Sequence, residues 1–197
     1  MKIIPLLAVP LALAAAPQAP VKVATQLSAG MQLVYVSDGR TQSPWVVDSV
    51  QVGQQLRPGA DCASLQISRR PSDPRPDRSK LCLAGDTLYR WSHSAWEVFR
   101  PVGPDMDLTL VKSNGDSVRY ETEALGEDMI SGTAVQVVST TVTTVDGRGN
   151  PRLRVRERYA VTLATATSGT FESPDPSGPG RWTARHKFEL KSMRPGP

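Results

Sequence analysis

The sequence has few of the residues that catalytic and metal sites require. Its 197 residues include two histidines and two cysteines, and no HxH, HxxxH or HExxH spacing suits a zinc site. The GxSxG, GxxxxGKS/T and GxGxxG patterns of hydrolases and nucleotide-binding proteins are absent as well. We therefore expect no metal, no cofactor and no catalytic residue in this chain.

Long apolar runs are also scarce, and the longest one lies near the N-terminus. Lys2 precedes an apolar stretch at residues 3–13, which small residues follow. This order of charged, apolar and small-residue regions is typical of a secretory signal peptide. Such a stretch is too short to cross a hydrocarbon core of roughly 30 Å. We predict a signal peptide over residues 1–14, no transmembrane segment, and export to the periplasm or the cell exterior.

Cysteine is limited to one pair, which agrees with an oxidising compartment. Cys62 and Cys82 flank a proline-rich segment at residues 68–80, and the residues beside each cysteine are typical of short strands. A hairpin would place the cysteines opposite each other, with the proline-rich segment as its loop. We predict a disulfide between them that stabilises the fold by roughly 3 kcal/mol.

Helical periodicity is nearly absent, whereas strand and turn signals recur along the chain. The dipeptides Asp38-Gly39, Asn114-Gly115 and Asp146-Gly147 accept positive φ angles at low cost and mark turns between strands. A short helix is expected only around residues 121–129, where Gly126 weakens it. The chain is therefore predicted to be all-β.

The C-terminal third has the clearest alternation of apolar and charged residues. In residues 152–164 the odd positions are apolar, except for Glu157, and the first even positions are all arginine. Residues 133–145 and 182–191 are predicted to be strands as well, so the three segments form an antiparallel meander with one packed and one wet face.

Long antiparallel strands tend to coil, and this property suggests the architecture. We predict a single antiparallel, strongly curved sheet that forms an open or partial barrel, with a two-sheet sandwich as the alternative. This domain spans residues 30–192. A flexible linker at residues 15–29 precedes it, and a C-terminal tail at residues 193–197 follows it.

Aromatic residues are few but concentrated, and they supply most of the candidate ligand contacts. The segment LYRWSHSAWEVF is predicted to be a tight hairpin whose aromatic side chains pair across the strands, either as core or as the wall of a pocket. Glu157 lies alone on an apolar strand face, so it either reaches water or anchors a ligand at the rim of a cleft. The candidate ligand-binding residues are Tyr89, Trp91, Trp96, Phe99, Glu157 and Tyr159.

One fragment suggests catalysis but lacks its partners. Residues 115–117 (GDS) resemble the nucleophile block of the GDSL-type esterases, which requires an aspartate three residues before its histidine. Thr183 and Arg90 occupy those positions relative to His186 and His93. We interpret Ser117 as a turn residue and His186, on the apolar parity of its strand, as a hydrogen-bonded packing residue.

These observations favour a binding protein over an enzyme. We expect an exported, non-enzymatic β-sheet protein that binds or carries a lipid or another apolar or amphipathic ligand on its concave face. At the level of the fold alone, such a barrel is similar to that of bacterial periplasmic lipoprotein carriers. The alternative is an interaction module that faces an anionic envelope surface with its basic outer face, Arg152, Arg154, Arg156 and Arg158. Nucleic acid is not an expected partner.

Overall fold

The structure is a computed structural model that describes residues 22–68, 76–178 and 180–195. Within these ranges the chain forms thirteen β-strands, and its only helical segment is a 3-10 turn at Val161–Leu163. None of the described segments is a helix with the length and apolar character needed to span a membrane. The prediction of an all-β fold is confirmed, and the predicted signal peptide over residues 1–14 lies outside the described residues.

The strands have the following bounds in chain order. They are β1 (Gln32–Ser37), β2 (Arg40–Thr41), β3 (Trp45–Gln54), β4 (Asp61–Ser68), β5 (Asp77–Ala84), β6 (Thr87–Ser92), β7 (Ala95–Pro101), β8 (Asp107–Val111), β9 (Ser117–Ile130), β10 (Thr133–Val145), β11 (Pro151–Ala160), β12 (Thr165–Pro174) and β13 (Trp182–Arg194).

All of these strands belong to one antiparallel sheet that is nearly closed into a barrel. The order is β7-β6-β5-β4-β3-β1-β13-β12-β11-β10-β9-β8, and the short β2 pairs with β1. The edge strands β7 and β8 approach each other and leave one seam. The predicted open barrel is confirmed. The sheet is not divided into the two layers of a sandwich, because hydrogen-bonded pairing runs without interruption from β7 to β8.

The cysteine hairpin forms as predicted. Cys62 on β4 lies directly opposite Cys82 on β5, and the two Sγ atoms are bonded at 1.96 Å. Strand β4 continues past Cys62 to Ser68, and β5 begins at Asp77, before Cys82. The connection between the two strands is therefore shorter than the predicted loop at residues 68–80.

Strand β9 replaces the helix predicted around residues 121–129, so that prediction is wrong. From Ser117 to Ile130 this segment pairs with β10, and the ladder outweighs a weak local helical preference. Gly126 serves the contact between strands, because a Cβ there would lie 3.1 Å from the Arg158 guanidinium.

Strand β12 is an addition to the predicted three-strand meander. It lies between β11 and β13, so residues 152–164 and 182–191 are not neighbours. The first of these segments leaves the sheet at Ala160. The small and hydroxyl-bearing residues of β12 hide its alternation of apolar and polar side chains. Gly169 of β12 accommodates the Phe188 ring, because a Cβ at this position would lie 2.6 Å from the ring.

Residues 22–29 are packed against the barrel, so the prediction of a flexible linker is wrong for them. Val23 and Ala24 are fully buried. The backbone N–H of Ala24 donates to the Val161 carbonyl at 3.0 Å, and that of Val23 donates to the Asp61 carboxylate at 2.9 Å. Apolar burial and paired backbone groups together hold this segment in place.

The core lies on the inner face, next to this N-terminal segment. Leu33, Val47 and Leu163 are fully buried there. The last strand also contributes, because Met193 pairs with Leu33 and packs against the core. Met193 and Arg194, predicted to belong to the C-terminal tail at residues 193–197, therefore belong to β13.

Candidate functional site

Strand β11 divides its side chains between the inside and the outside of the barrel. Val155, Glu157 and Tyr159 belong to the inner face, and Tyr159 is part of the core. The arginine stripe (Arg152, Arg154, Arg156 and Arg158) lies on the outer face. The predicted alternation of β11 therefore separates two different chemical surfaces.

Glu157 is buried, and its partner is Arg100 of β7. The Arg100 guanidinium donates to the Glu157 carboxylate, and the two side chains are only 6% and 13% exposed. The same guanidinium lies 3.9 Å from the centroid of the Tyr159 ring. Since β7 and β11 lie on opposite sides of the seam, this ion pair spans the interior. Burial without a partner would cost several kcal/mol, which explains the pairing.

A β-bulge in the last strand before the seam aims Arg100 inward. Leu88 pairs with Arg100, but the next residue, Tyr89, pairs with Val98, so Phe99 is the extra residue of the bulge. Phe99 packs against the core and Arg100 is 5% exposed. Both consecutive side chains therefore serve the interior, which strict alternation would not allow.

The interior around this ion pair contains polar atoms that lack hydrogen-bond partners among the described residues. They are Arg100 Nε, Thr140 Oγ1 and the Tyr159 hydroxyl oxygen. Thr140 lies directly opposite Glu157 on β10. Burial raises the pKa of Tyr159, so its hydroxyl remains protonated and able to donate. Such buried groups favour a polar ligand atom or water.

An open cleft of about 1180 Å³ lies between the β1–β3 segment and the inner faces of β12 and β13. Its walls include the aromatic side chains Tyr35, Trp45, Phe171, His186 and Phe188, and its rim includes Ser37, Asp38, Arg40, Gln42 and Ser43. We call it the aromatic cleft. It exceeds the roughly 300–1,000 Å³ of most small-molecule sites.

The aromatic rings of the cleft contact one another. The Tyr35 centroid lies 4.7 Å from that of Trp45 and 6.3 Å from that of Phe188, and Phe171 lies 5.7 Å from Phe188. The Tyr35 hydroxyl donates to the Ala166 carbonyl at 3.1 Å. Burial raises the pKa of Tyr35 to about 12, so this donor is retained at neutral pH.

A hydrogen-bonded group of three side chains forms part of the rim. His186 Nε2 lies 2.7 Å from Ser37 Oγ, and His186 Nδ1 lies 2.5 Å from Asp38 Oδ2. The other Asp38 oxygen accepts the backbone N–H of Lys187 at 2.8 Å. The Lys187 bond and then His186 hold the pKa of Asp38 below its usual value.

The aromatic residues predicted to line a pocket do not come together. Trp91 and Trp96 pair edge to face with centroids 5.4 Å apart, and Trp91 is 40% exposed. Tyr89 is stacked under the Arg57 guanidinium at 3.6 Å. Phe99 alone packs against the core. The hairpin is formed as predicted, but its aromatic side chains do not share one cavity.

Every member of the arginine stripe has a carboxylate neighbour. Arg152 contacts Asp146, and Arg154 and Arg156 contact Glu172 at 2.5 and 3.5 Å. Arg158 contacts Asp128 at 2.8 Å. The positive charge of the stripe is therefore largely balanced by local acidic residues.

Sequence reasoning missed most of the residues that form the cleft and its surroundings. It singled out Glu157 and Tyr159, but it did not connect them with Arg100 or with the rings of Tyr35 and Phe188. The one available signal was His186 on the apolar parity of β13. Comparison with protein-family models, curated proteins and solved structures gave no match. Among the described residues, no group of three or more His, Cys, Asp or Glu side chains could hold a metal ion.

Proposed function

We propose that the protein is exported and binds an apolar or amphipathic ligand, such as a lipid, in the aromatic cleft. The observation that carries this proposal is an open cleft on the inner face whose floor consists of Tyr35, Phe171 and Phe188. The Phe171 and Phe188 rings remain partly exposed, since no segment of the described chain covers them. Apolar area of this kind is stabilised by a ligand that removes it from water.

The polar groups around the cleft suit the head of an amphipathic molecule. Pairing across the sheet leads from Phe188 to Gly169 and on to Glu157, so the ion pair with Arg100 lies next to the cleft. An apolar chain on the rings and a polar group at the rim or beside Arg100 would satisfy both surfaces. The Cys62–Cys82 disulfide and the signal-like pattern of residues 1–14 support export.

The alternative use of the basic outer face has weaker support. An anionic envelope surface would have to compete with Asp128, Asp146 and Glu172 for the arginine stripe. These local ion pairs leave little free positive charge for such a surface.

Ligand binding is tested by filling the cleft with a side chain. Ser43→Trp places an indole at the rim, where Ser43 is exposed, and Ser113→Trp makes the same change in the exposed β8–β9 turn. We expect Ser43→Trp to weaken the binding of a dansyl-labelled fatty acid at least about tenfold, while Ser113→Trp binds like the unaltered chain. Fluorescence titration measures both. Equal affinities for the two variants, or no binding by the unaltered chain, would reject the proposal.

A further inference from the structure

Ser37, His186 and Asp38 have the contacts of an activated nucleophile. The hydroxyl of Ser37 contacts one nitrogen of the imidazole, Nε2, and the carboxylate of Asp38 contacts the other, Nδ1, at 2.7 and 2.5 Å. A base within hydrogen-bond reach of a hydroxyl, itself oriented by a third group, is the arrangement that makes serine nucleophilic. It is recognised by geometry and roles rather than by chain order.

The fold explains how these three residues meet. Ser37 ends β1 opposite Phe188 of β13, which places His186 on the same face and one diagonal step away. Asp38 begins the turn to β2 with φ of 47°, and its backbone N–H donates to the Lys187 carbonyl at 2.9 Å. The left-handed conformation turns the Asp38 carboxylate back toward β13, where it also accepts the Lys187 N–H.

Asp38 fixes the tautomer of His186. An ionised carboxylate at Nδ1 retains the proton on that nitrogen, so the lone pair of Nε2 is available to the Ser37 hydroxyl. The hydrogen bond from Lys187 anchors one carboxylate oxygen and leaves the other for the imidazole. The arrangement therefore orients the base as well as placing it.

The group opens into the aromatic cleft. All three side chains line it, and the His186 ring lies 5.7 Å from the Phe171 ring. The cationic side chain of Arg40 lines the same rim and could stabilise a developing oxyanion. An ester carbonyl at the rim would have its acyl chain directed along the aromatic floor.

We propose that Ser37 is the nucleophile of an esterase activity toward carboxylic esters with an apolar acyl group. This inference rests on the proposed function, because the aromatic cleft would bind the acyl chain. It differs from the expectation, drawn from the sequence, that the chain has no catalytic residue.

The reaction follows from the roles of the three side chains. Ser37 Oγ bonds to the carbonyl carbon while His186 Nε2 takes the hydroxyl proton. The bond to the alcohol then breaks, and the alcohol leaves with the proton from His186. Water, deprotonated by His186, next attacks the acyl-serine carbonyl. The bond to Ser37 Oγ then breaks, His186 returns its proton to Oγ, and the carboxylic acid leaves. No cofactor is required, and Asp38 remains ionised throughout.

The test uses the full chain with a fluorophosphonate probe and p-nitrophenyl butyrate. We expect the probe to attach to Ser37, as located by peptide mass spectrometry, and turnover to fall at least about 100-fold in Ser37→Ala. Ser113→Ala removes an exposed hydroxyl in the β8–β9 turn, which does not line the cleft, and is the matched control, with labelling and turnover unchanged. Asp38→Asn, which tolerates the same turn, is expected to lower turnover at least about tenfold.

A thiol variant provides a readout that does not depend on turnover. In Ser37→Cys the imidazole favours the thiolate, so iodoacetamide should alkylate this position about tenfold faster than the exposed position of Ser113→Cys at neutral pH. Equal alkylation rates, labelling of another serine, or unchanged turnover in Ser37→Ala would overturn the inference.

Binding of the dansyl-labelled fatty acid separates this inference from the proposed function. Binding to the unaltered chain without labelling of Ser37 would reject the esterase and leave the ligand-binding proposal intact. Absence of both binding and labelling would reject the two together.

Discussion

The inner face of the barrel is covered by the chain itself near the β11–β12 turn and is left open beside the β1–β2 turn. In the first region residues 22–29 and 161–163 bury the face, and Leu163 is fully inaccessible. In the second region Phe171 and Phe188 remain half-buried. The same inner face of the sheet thus forms a core where another segment packs on it. It forms a cleft where none of the described residues covers it.

The largest expected effect on stability comes from the buried ion pair that spans the interior next to the seam. We predict that Arg100→Ala destabilises the fold by about 3–5 kcal/mol, since it leaves the Glu157 carboxylate buried without its partner. Denaturant unfolding measures the change. Arg152→Ala is the control, because Arg152 is 67% exposed and its ion pair contributes at most about 1 kcal/mol.

A double variant sharpens the same comparison. Arg100→Met with Glu157→Leu removes both charges, so it should recover much of the stability lost in Arg100→Ala. Equal losses in Arg100→Ala and Arg152→Ala would show that the pair is not isolated from water.

The next largest effect separates the covered region from the open one. Leu163→Ala is predicted to cost about 2–5 kcal/mol, because it leaves a cavity in a filled core. Phe171→Ala should cost less, because its ring is already partly in water. Unfolding of the two variants by urea measures both values. A larger loss for Phe171→Ala would mean that the cleft is part of the structural core.

The smallest effect concerns pH at the rim of the cleft. The pKa of Asp38 is lowered in the folded chain, first by the Lys187 N–H and then by His186. The contribution of these bonds is therefore present above the unfolded pKa of about 3.9 and is lost as the pH falls through the lower folded value. The amide signal of Lys187 should report this transition in NMR spectra. A midpoint at or above the unfolded value, or an identical transition in Asp38→Asn, would contradict the assigned contacts.

Local features of the fold could be predicted from the sequence, because they depend on neighbouring residues. The Asp-Gly and Asn-Gly dipeptides mark turns through their backbone preferences, and β-branched residues mark β10 at Thr133–Val145. β12 could not be recognised in the same way. Gly169 of this strand is required because it leaves room for the Phe188 ring, and that ring belongs to another strand.

The site depends on contacts between residues that are far apart in the sequence, and no local sequence pattern predicts which of them pair. Arg100 and Glu157 are 57 residues apart and meet only because the barrel nearly closes and a bulge rotates β7. Asp38 and His186 are 148 residues apart and meet through the register of β1 against β13. Alternation indicated which face Glu157 and His186 occupy, but not what lies across from them.

NMR mapping of a bound fatty acid tests most directly the claim that the uncovered part of the inner face is a binding site. With dodecanoic acid added to the full chain, the account predicts shifts of the ring signals of Phe171 and Phe188 and none at the methyl groups of Leu163. Shifts centred on Leu163, or no shifts at saturating ligand, would contradict it.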